Sequence, residues 1–88
     1  MFIHIGGNTI VRTKDIISIN DFVSTKSAAT KEFLEIAREE GFVEDISNGS
    51  GKSFIIVIHN NQQKVYISPI SSSTLGKRAG FIDSLANE

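Results

Sequence analysis

The sequence predicts an α+β fold in one small domain, residues 1–88: a mostly antiparallel sheet of about six short strands with two helices. Three observations predict it. The chain has 88 residues, room for one folded unit at the usual ~100–200 residues per domain. Short β-favouring runs alternate with turns rich in Gly, Asn and Asp, and one run, residues 54–58, is apolar throughout. Two further stretches place apolar residues at helical spacing.

Residues 2–5 form the first strand, and Gly6, Gly7 and Asn8 supply a hairpin turn that needs positive φ. Residues 9–11 resume β-favouring residues, residues 13–15 turn again, and residues 16–19 make a third strand. The polar stretch 20–26 reads as a loop. Ser27 caps a helix with Ala29, Phe33, Ile36 and Ala37 as its buried stripe, and Gly41 ends it. Residues 42–46 form a strand, and residues 47–51 (Ser-Asn-Gly-Ser-Gly) are the most turn-like segment of the chain. The continuous apolar run 54–58 suits a central strand buried on both faces. After a polar connection at residues 59–63, residues 64–68 alternate, with Val65 and Ile67 on one side and Lys64 and Tyr66 on the other. Pro69 breaks the ladder. Serines 71–73 then offer caps for a second helix with Leu75, Ala79, Ile82 and Leu85 or Ala86 as its stripe. Gly76 and Gly80, four apart on it, each cost roughly 1 kcal/mol relative to alanine, so this helix depends on packing.

The composition excludes several classes. There is no cysteine, hence no disulfide framework and no thiolate site. No apolar run approaches the ~18 residues that span a bilayer, and the first residues carry no basic region and no signal-like apolar stretch, so a reduced cytoplasmic setting is expected and no membrane. Gly51-Lys52-Ser53 resembles the end of a phosphate-binding loop, but Ile46 stands where the leading glycine belongs and a strand follows where a helix is required. Asn48-Gly49-Ser50 matches a glycosylation sequon and, without a secretory signal, reads as a turn. His4 and His59 have no metal-ligand spacing, and no serine sits in a nucleophile elbow. Neither an enzyme nor a cofactor or metal site is expected.

Charge is segregated along the chain. Residues 31–45 hold two cations against six carboxylates, whereas residues 46–82 hold Lys52, Lys64, Lys77 and Arg78 and no acid. Glu32, Glu35, Glu39 and Glu40 lie off the helical stripe and read as a solvent face. A basic face would attract phosphate. A domain this small also buries a thin core, which favours association with copies of itself.

Four stretches carry a resemblance: residues 2–7 (Phe-Ile-His-Ile-Gly-Gly); Val11 with Lys14, Asp15, Ile16 and Ile17; Ala37-Arg38-Glu39-Glu40-Gly41 followed by Asp45; and residues 66–78, from Tyr66-Ile67-Ser68-Pro69 to Gly76-Lys77-Arg78. In order and spacing they resemble the bacterial extracellular matrix regulatory proteins RemA and RemB, the last stretch the RemB branch in particular. The resemblance implies a cytoplasmic transcriptional regulator of biofilm-matrix genes in a Gram-positive bacterium, assembled as a ring-like homo-oligomer that binds double-stranded DNA along a basic surface. RemA-type members carry a run of arginines after the loop glycine; here the stretch is Gly49-Ser50-Gly51-Lys52-Ser53. Another of their arginines falls on Asp15, an acid that repels phosphate. The DNA-binding candidates are therefore Lys52 and Lys14 from the resemblance, with Arg12, Lys77 and Arg78 added from charge. The alternative is an oligomeric protein–protein adaptor that lost DNA binding with those arginines.

Overall fold

The computed structural model describes residues 1–80, the side chains of Ser24 and Thr25 excepted. In order the elements are β1 (Phe2–Gly6), β2 (Thr9–Arg12), a 3-10 turn (Thr13–Asp15), β3 (Ile16–Asp21), a second 3-10 segment (Phe22–Lys26), α1 (Ala28–Glu39), β4 (Val43–Asp45), β5 (Ser53–His59), β6 (Gln62–Ser68) and α2 (Ser72–Ala79).

The six strands and two helices are present, but the single mostly antiparallel sheet is not. β1 and β2 pair by themselves, and the other four strands form a mixed sheet in the order β3-β5-β6-β4. Within it β5 is antiparallel to β3 and β6, while β4 runs parallel to β6. The reason lies in α1. A helix after β3 carries the chain back along the sheet, so β4 starts from the same end as β3, as a crossover connection requires. The antiparallel β5–β6 hairpin then fills the gap between them.

β5 organises the core. Its residues alternate, Phe54 and Ile56 toward one layer, Ile55 and Val57 toward the other. On the first side Phe54, Val65 and Ile67 pack with Leu34 and Ala37 of α1, and the Phe22 ring meets Phe54 edge-on at 6.5 Å. On the second, Ile55 and Val57 pack with Ile3, Ile5, Val11, Ile16 and Leu75. The hairpin and α2 therefore share one face of the sheet, and α1 covers the other. Burial on both faces holds for residues 54–57, which read as a continuous apolar run, whereas Ile58 at the end of the run is 42% exposed.

Other boundaries moved for local reasons. The α1 stripe runs through Leu34 and Ala37 with Phe33 half-buried, and Ala29 and Ile36 are exposed. Phe33 and Leu34 in tandem offer two stripes one position apart, and contact with the sheet selects the one through Leu34. Asn60 and Asn61 both adopt positive φ, which Asn tolerates. They close a two-residue hairpin, so β5 reaches His59 and β6 starts at Gln62. The stretch 20–26 is the end of β3 followed by a 3-10 segment. Ser27 and Ser71 cap the helices as expected, accepting from the Thr30 and Thr74 N–H groups. Gly80 is the left-handed cap of α2 at φ 81°, so only Gly76 weakens the helix interior. Ile82, Leu85 and Ala86 lie outside the described residues.

Two buried serines, paired across β5 and β6, hold the layers together. The Ser68 hydroxyl donates to the Ile5 carbonyl at 2.6 Å and accepts the Ile70 N–H at 3.0 Å. Ser53 donates to the Ile70 carbonyl at 2.7 Å. Ser68→Ala strands a carbonyl of β1 and an N–H of the lead into α2. It is expected to cost about 2–3 kcal/mol, read from the urea midpoint at unchanged slope.

Candidate nucleic-acid interface

The five candidate cations occupy four places. Arg12 ends β2 and Lys14 lies in the 3-10 turn behind it. Lys52 lies in the loop before β5, its backbone fixed at both ends: its N–H donates to the Ser68 carbonyl (2.9 Å) and its carbonyl accepts from Phe22 N–H (3.0 Å). Lys77 and Arg78 are in the last turn of α2.

They do not form one cluster. Lys52 precedes β5, whereas Arg12 meets His59 at its far end (Nη2 to Nδ1, 3.0 Å). Seven strand residues separate the two ends, about 20 Å at ~3.3 Å per residue. α2 runs between them. Its first turn reaches Asp21 beside the start of β5, through Ser72 Oγ at 3.4 Å. Its last turn reaches the hairpin, where Arg78 Nη1 donates to the His4 carbonyl at 2.9 Å. The arrangement is a spaced series: Lys52, then Lys77 and Arg78, then Lys14.

Their availability differs. Arg12 is engaged. Its Nε donates to Asp15 Oδ2 at 2.9 Å and its Nη2 to Oδ1 at 3.3 Å, and His59 Nδ1 lies 2.9 Å from the same Oδ2. The expectation that Asp15 repels phosphate is thus incomplete, because Arg12 offsets its charge on the spot. The same pairing removes Arg12 as a free cation. Lys64, part of the acid-free stretch, is also engaged: its Nζ lies 2.7 Å from Glu44 Oε1 and 5.2 Å from the Tyr66 ring centre. The bond to Glu44 raises its pKa. A stretch without acids in sequence is therefore not without acids in space. By contrast Lys14, Lys52 and Lys77 are exposed and make no ion pair among the described residues.

The Gly51-Lys52-Ser53 stretch does not form a phosphate loop. β5 begins at Ser53 and the Ser53 hydroxyl is taken by Ile70. Glu32, Glu35 and Glu39 of α1 and Glu40 at its C-cap are all exposed, as a solvent face requires. No group of three or more metal-ligating side chains occurs among the described residues.

Sequence reasoning missed the Arg12–Asp15–His59 cluster. Arg12 and Asp15 are three apart and within reach of each other in a turn, but His59 arrives from 44 residues away. A His59 Nδ1 carrying a proton donates to Asp15; one without accepts from Arg12. The Arg12 hydrogen bond, with His59 adding to it, holds the Asp15 carboxyl below its usual range against partial desolvation. In the same way, hydrogen bonds from the Ser47 hydroxyl and N–H hold Asp45 low. A carboxylate depressed in the folded state stabilises the fold above its unfolded pKa and loses that contribution as pH falls through the folded value. Asp15→Asn is thus expected to be less stable than the parent at neutral pH, with the difference closing below the unfolded value of 3.8; urea midpoints across the acid limb measure it.

Beside this cluster the surface is apolar. Phe2 and Ile10, on the outer face of the hairpin, are 59% and 58% exposed. They border a cleft of about 280 Å3 that Val57 and Tyr66 also line, with Arg12, Asp15 and His59 at its polar end.

No helix among the described residues is long and apolar enough to cross a membrane. Comparison with known proteins gives two matches. The RemA-like family, described as extracellular matrix regulatory protein A-like, matches residues 2–79. Extracellular matrix regulatory protein B of Bacillus subtilis (strain 168) is 40% identical over 82 residues, covering 93% of this chain and 94% of that protein. This is the branch that residues 66–78 resembled. With nearly its whole length matched in both comparisons, the chain belongs to the RemA-like family of extracellular matrix regulatory proteins.

Proposed function

We propose that the chain regulates biofilm-matrix genes by binding double-stranded DNA as a cytoplasmic homo-oligomer, through phosphate contacts from Lys14, Lys52 and Lys77. The observation that carries the reading is the division among the cations: these three are exposed and unpaired among the described residues, while Arg12 and Lys64 are spent on Asp15 and Glu44. Arg78 adds the part of its guanidinium that the His4 carbonyl leaves free. Three spaced lysines per copy bind a duplex weakly. Repeating them around a ring raises affinity through effective concentration, and a spaced series follows backbone and groove shape more than base edges. The family, one of matrix regulators, supports the regulatory part.

The test is fluorescence anisotropy of a labelled duplex at about 50 and 200 mM salt, where phosphate-dominated binding weakens steeply. Saturable, salt-sensitive binding is expected. A second reading, the protein–protein adaptor without DNA binding, is favoured by one observation, the neutralisation of Arg12 by Asp15. Absence of binding at the lower salt selects it.

A further inference from the structure

We propose that Asn48–Gly49 is a self-modifying site in the Lys52 loop: the pair deamidates without an enzyme, and the carboxylate it leaves weakens the loop's hold on phosphate. The chemistry stands by itself, and its effect rests on the DNA reading above.

Asn48-Gly49 is the chain's one asparagine–glycine pair. The Ser50 N–H donates to the Ser47 carbonyl at 3.1 Å, and between them Asn48 and Gly49 take φ 55° and 87°. Positive φ at both central positions is the type I′ pattern. The closing bond does not use the Gly49 N–H. Neither that N–H nor the Asn48 side-chain amide makes a hydrogen bond among the described residues. Both residues are exposed, and a Cβ added at Gly49 would meet nothing within 4 Å. The Asn48 amide therefore has room to fold over the Gly49 nitrogen. The turn bond must open for this, at an exposed loop tip where opening costs little.

The step needs only water. The Gly49 nitrogen loses its proton and bonds to the Asn48 Cγ. The Cγ–Nδ2 bond breaks, and ammonia leaves with a proton, giving a five-membered succinimide. Water then opens the ring. Attack at Cγ yields aspartate, and attack at the backbone carbonyl yields isoaspartate. Nothing is oxidised or reduced, and either product carries a new negative charge.

The place gives that charge its effect. The loop begins where the Ile46 N–H donates to the Ile67 carbonyl and ends where the Lys52 N–H donates to the Ser68 carbonyl, both at 2.9 Å. Its two ends thus meet on adjacent residues of β6, and its tip lies four residues from Lys52. Lys52 is the one charged residue of 46–52, so a carboxylate at 48 cancels the loop's attraction for phosphate. The isoaspartyl product also lengthens the backbone ahead of Lys52 by one carbon.

The full chain, held in mildly alkaline buffer, is expected to convert Asn48, read by peptide mass and by an isoaspartate-specific methylation assay. Mildly acidic buffer is expected to slow it, because less of the Gly49 amide is ionised. Asn60 and Asn61 are internal controls. They too are exposed at positive φ, 53° and 63°, but the side chains of Asn61 and Gln62 that follow them hinder the attack. Asn48→Asp, the product of one route, is expected to raise the Kd for a duplex about 5-fold or more. Its melting temperature should match the parent's, since aspartate tolerates positive φ. Asn48 converting no faster than Asn60 overturns the site. Conversion of Asn48, with an unchanged Kd for Asn48→Asp, overturns its effect and keeps the DNA reading. Conversion in a parent chain that binds no duplex removes the DNA reading and keeps the site.

Discussion

Gly6→Ala will lower the stability of the domain by about 3–5 kcal/mol, a fall of roughly 12–25 °C or more in Tm for a domain of this size. Two costs add at this position. Gly6 has φ 131°, a conformation closed to side chains. A Cβ there would sit 2.8 Å from Pro69 Cδ and 3.2 Å from its Cγ, and a proline ring fixed in the backbone has little room to yield. The displacement falls where Ser68 ties Ile5 to the lead into α2, so the hairpin and α2 loosen together. Gly7→Ala is the control. Gly7 is also at positive φ, 54°, but an added Cβ meets nothing within 4 Å, and the left-handed backbone alone costs about 1–2 kcal/mol. Thermal melts of the two variants measure the difference. A Gly6→Ala protein as stable as Gly7→Ala would refute the packing of Gly6 on Pro69.

Reversing the free lysines will have the largest functional effect. Lys14→Glu, Lys52→Glu and Lys77→Glu together are expected to raise the Kd for a duplex about 100-fold or more at moderate salt and to flatten its salt dependence, since each lost phosphate contact removes about one unit of slope. All three side chains are exposed and unpaired among the described residues, so the melting temperature should hardly move. Arg12→Gln should behave in the opposite way. It breaks the bidentate bond to Asp15, so it should reduce stability more than affinity. A Kd unchanged by the triple reversal would refute the assignment of these cations.

What was legible in the sequence was local. Ser27, Ser71 and Gly41 marked helix ends because a cap is a bond between near neighbours. The run 54–58 announced a strand covered on both sides over residues 54–57, because burial on both faces removes polar alternation, but not that Ile58 would emerge into solvent. Leu34 was passed over for Ile36 because two adjacent apolar residues leave the helix face open until a sheet chooses it. The direction of β4 could not be read: three residues fit either orientation, and the path of α1 decides. At the candidate interface, Lys14 and Lys52 were visible as residue types, but their freedom was not. That depended on which cations found acids, and Lys64 found Glu44 across the parallel β4–β6 pair, while Arg12 was joined by a histidine 47 positions away.

The order β3-β5-β6-β4 has a consequence for synthesis. β3 bonds only to β5, and β4 only to β6. When residues 16–45 leave the ribosome they carry two strands and a helix with no strand to pair with, and the sheet has a gap where its centre belongs. The central pair, residues 53–68, is translated afterwards and must enter between strands already made. Loop closure over these separations is slow relative to local pairing. The nascent domain therefore gains its cooperative structure only after residues 53–68 have emerged, and until then β3 and β4 offer unpaired edges to other chains, including nascent copies of its own.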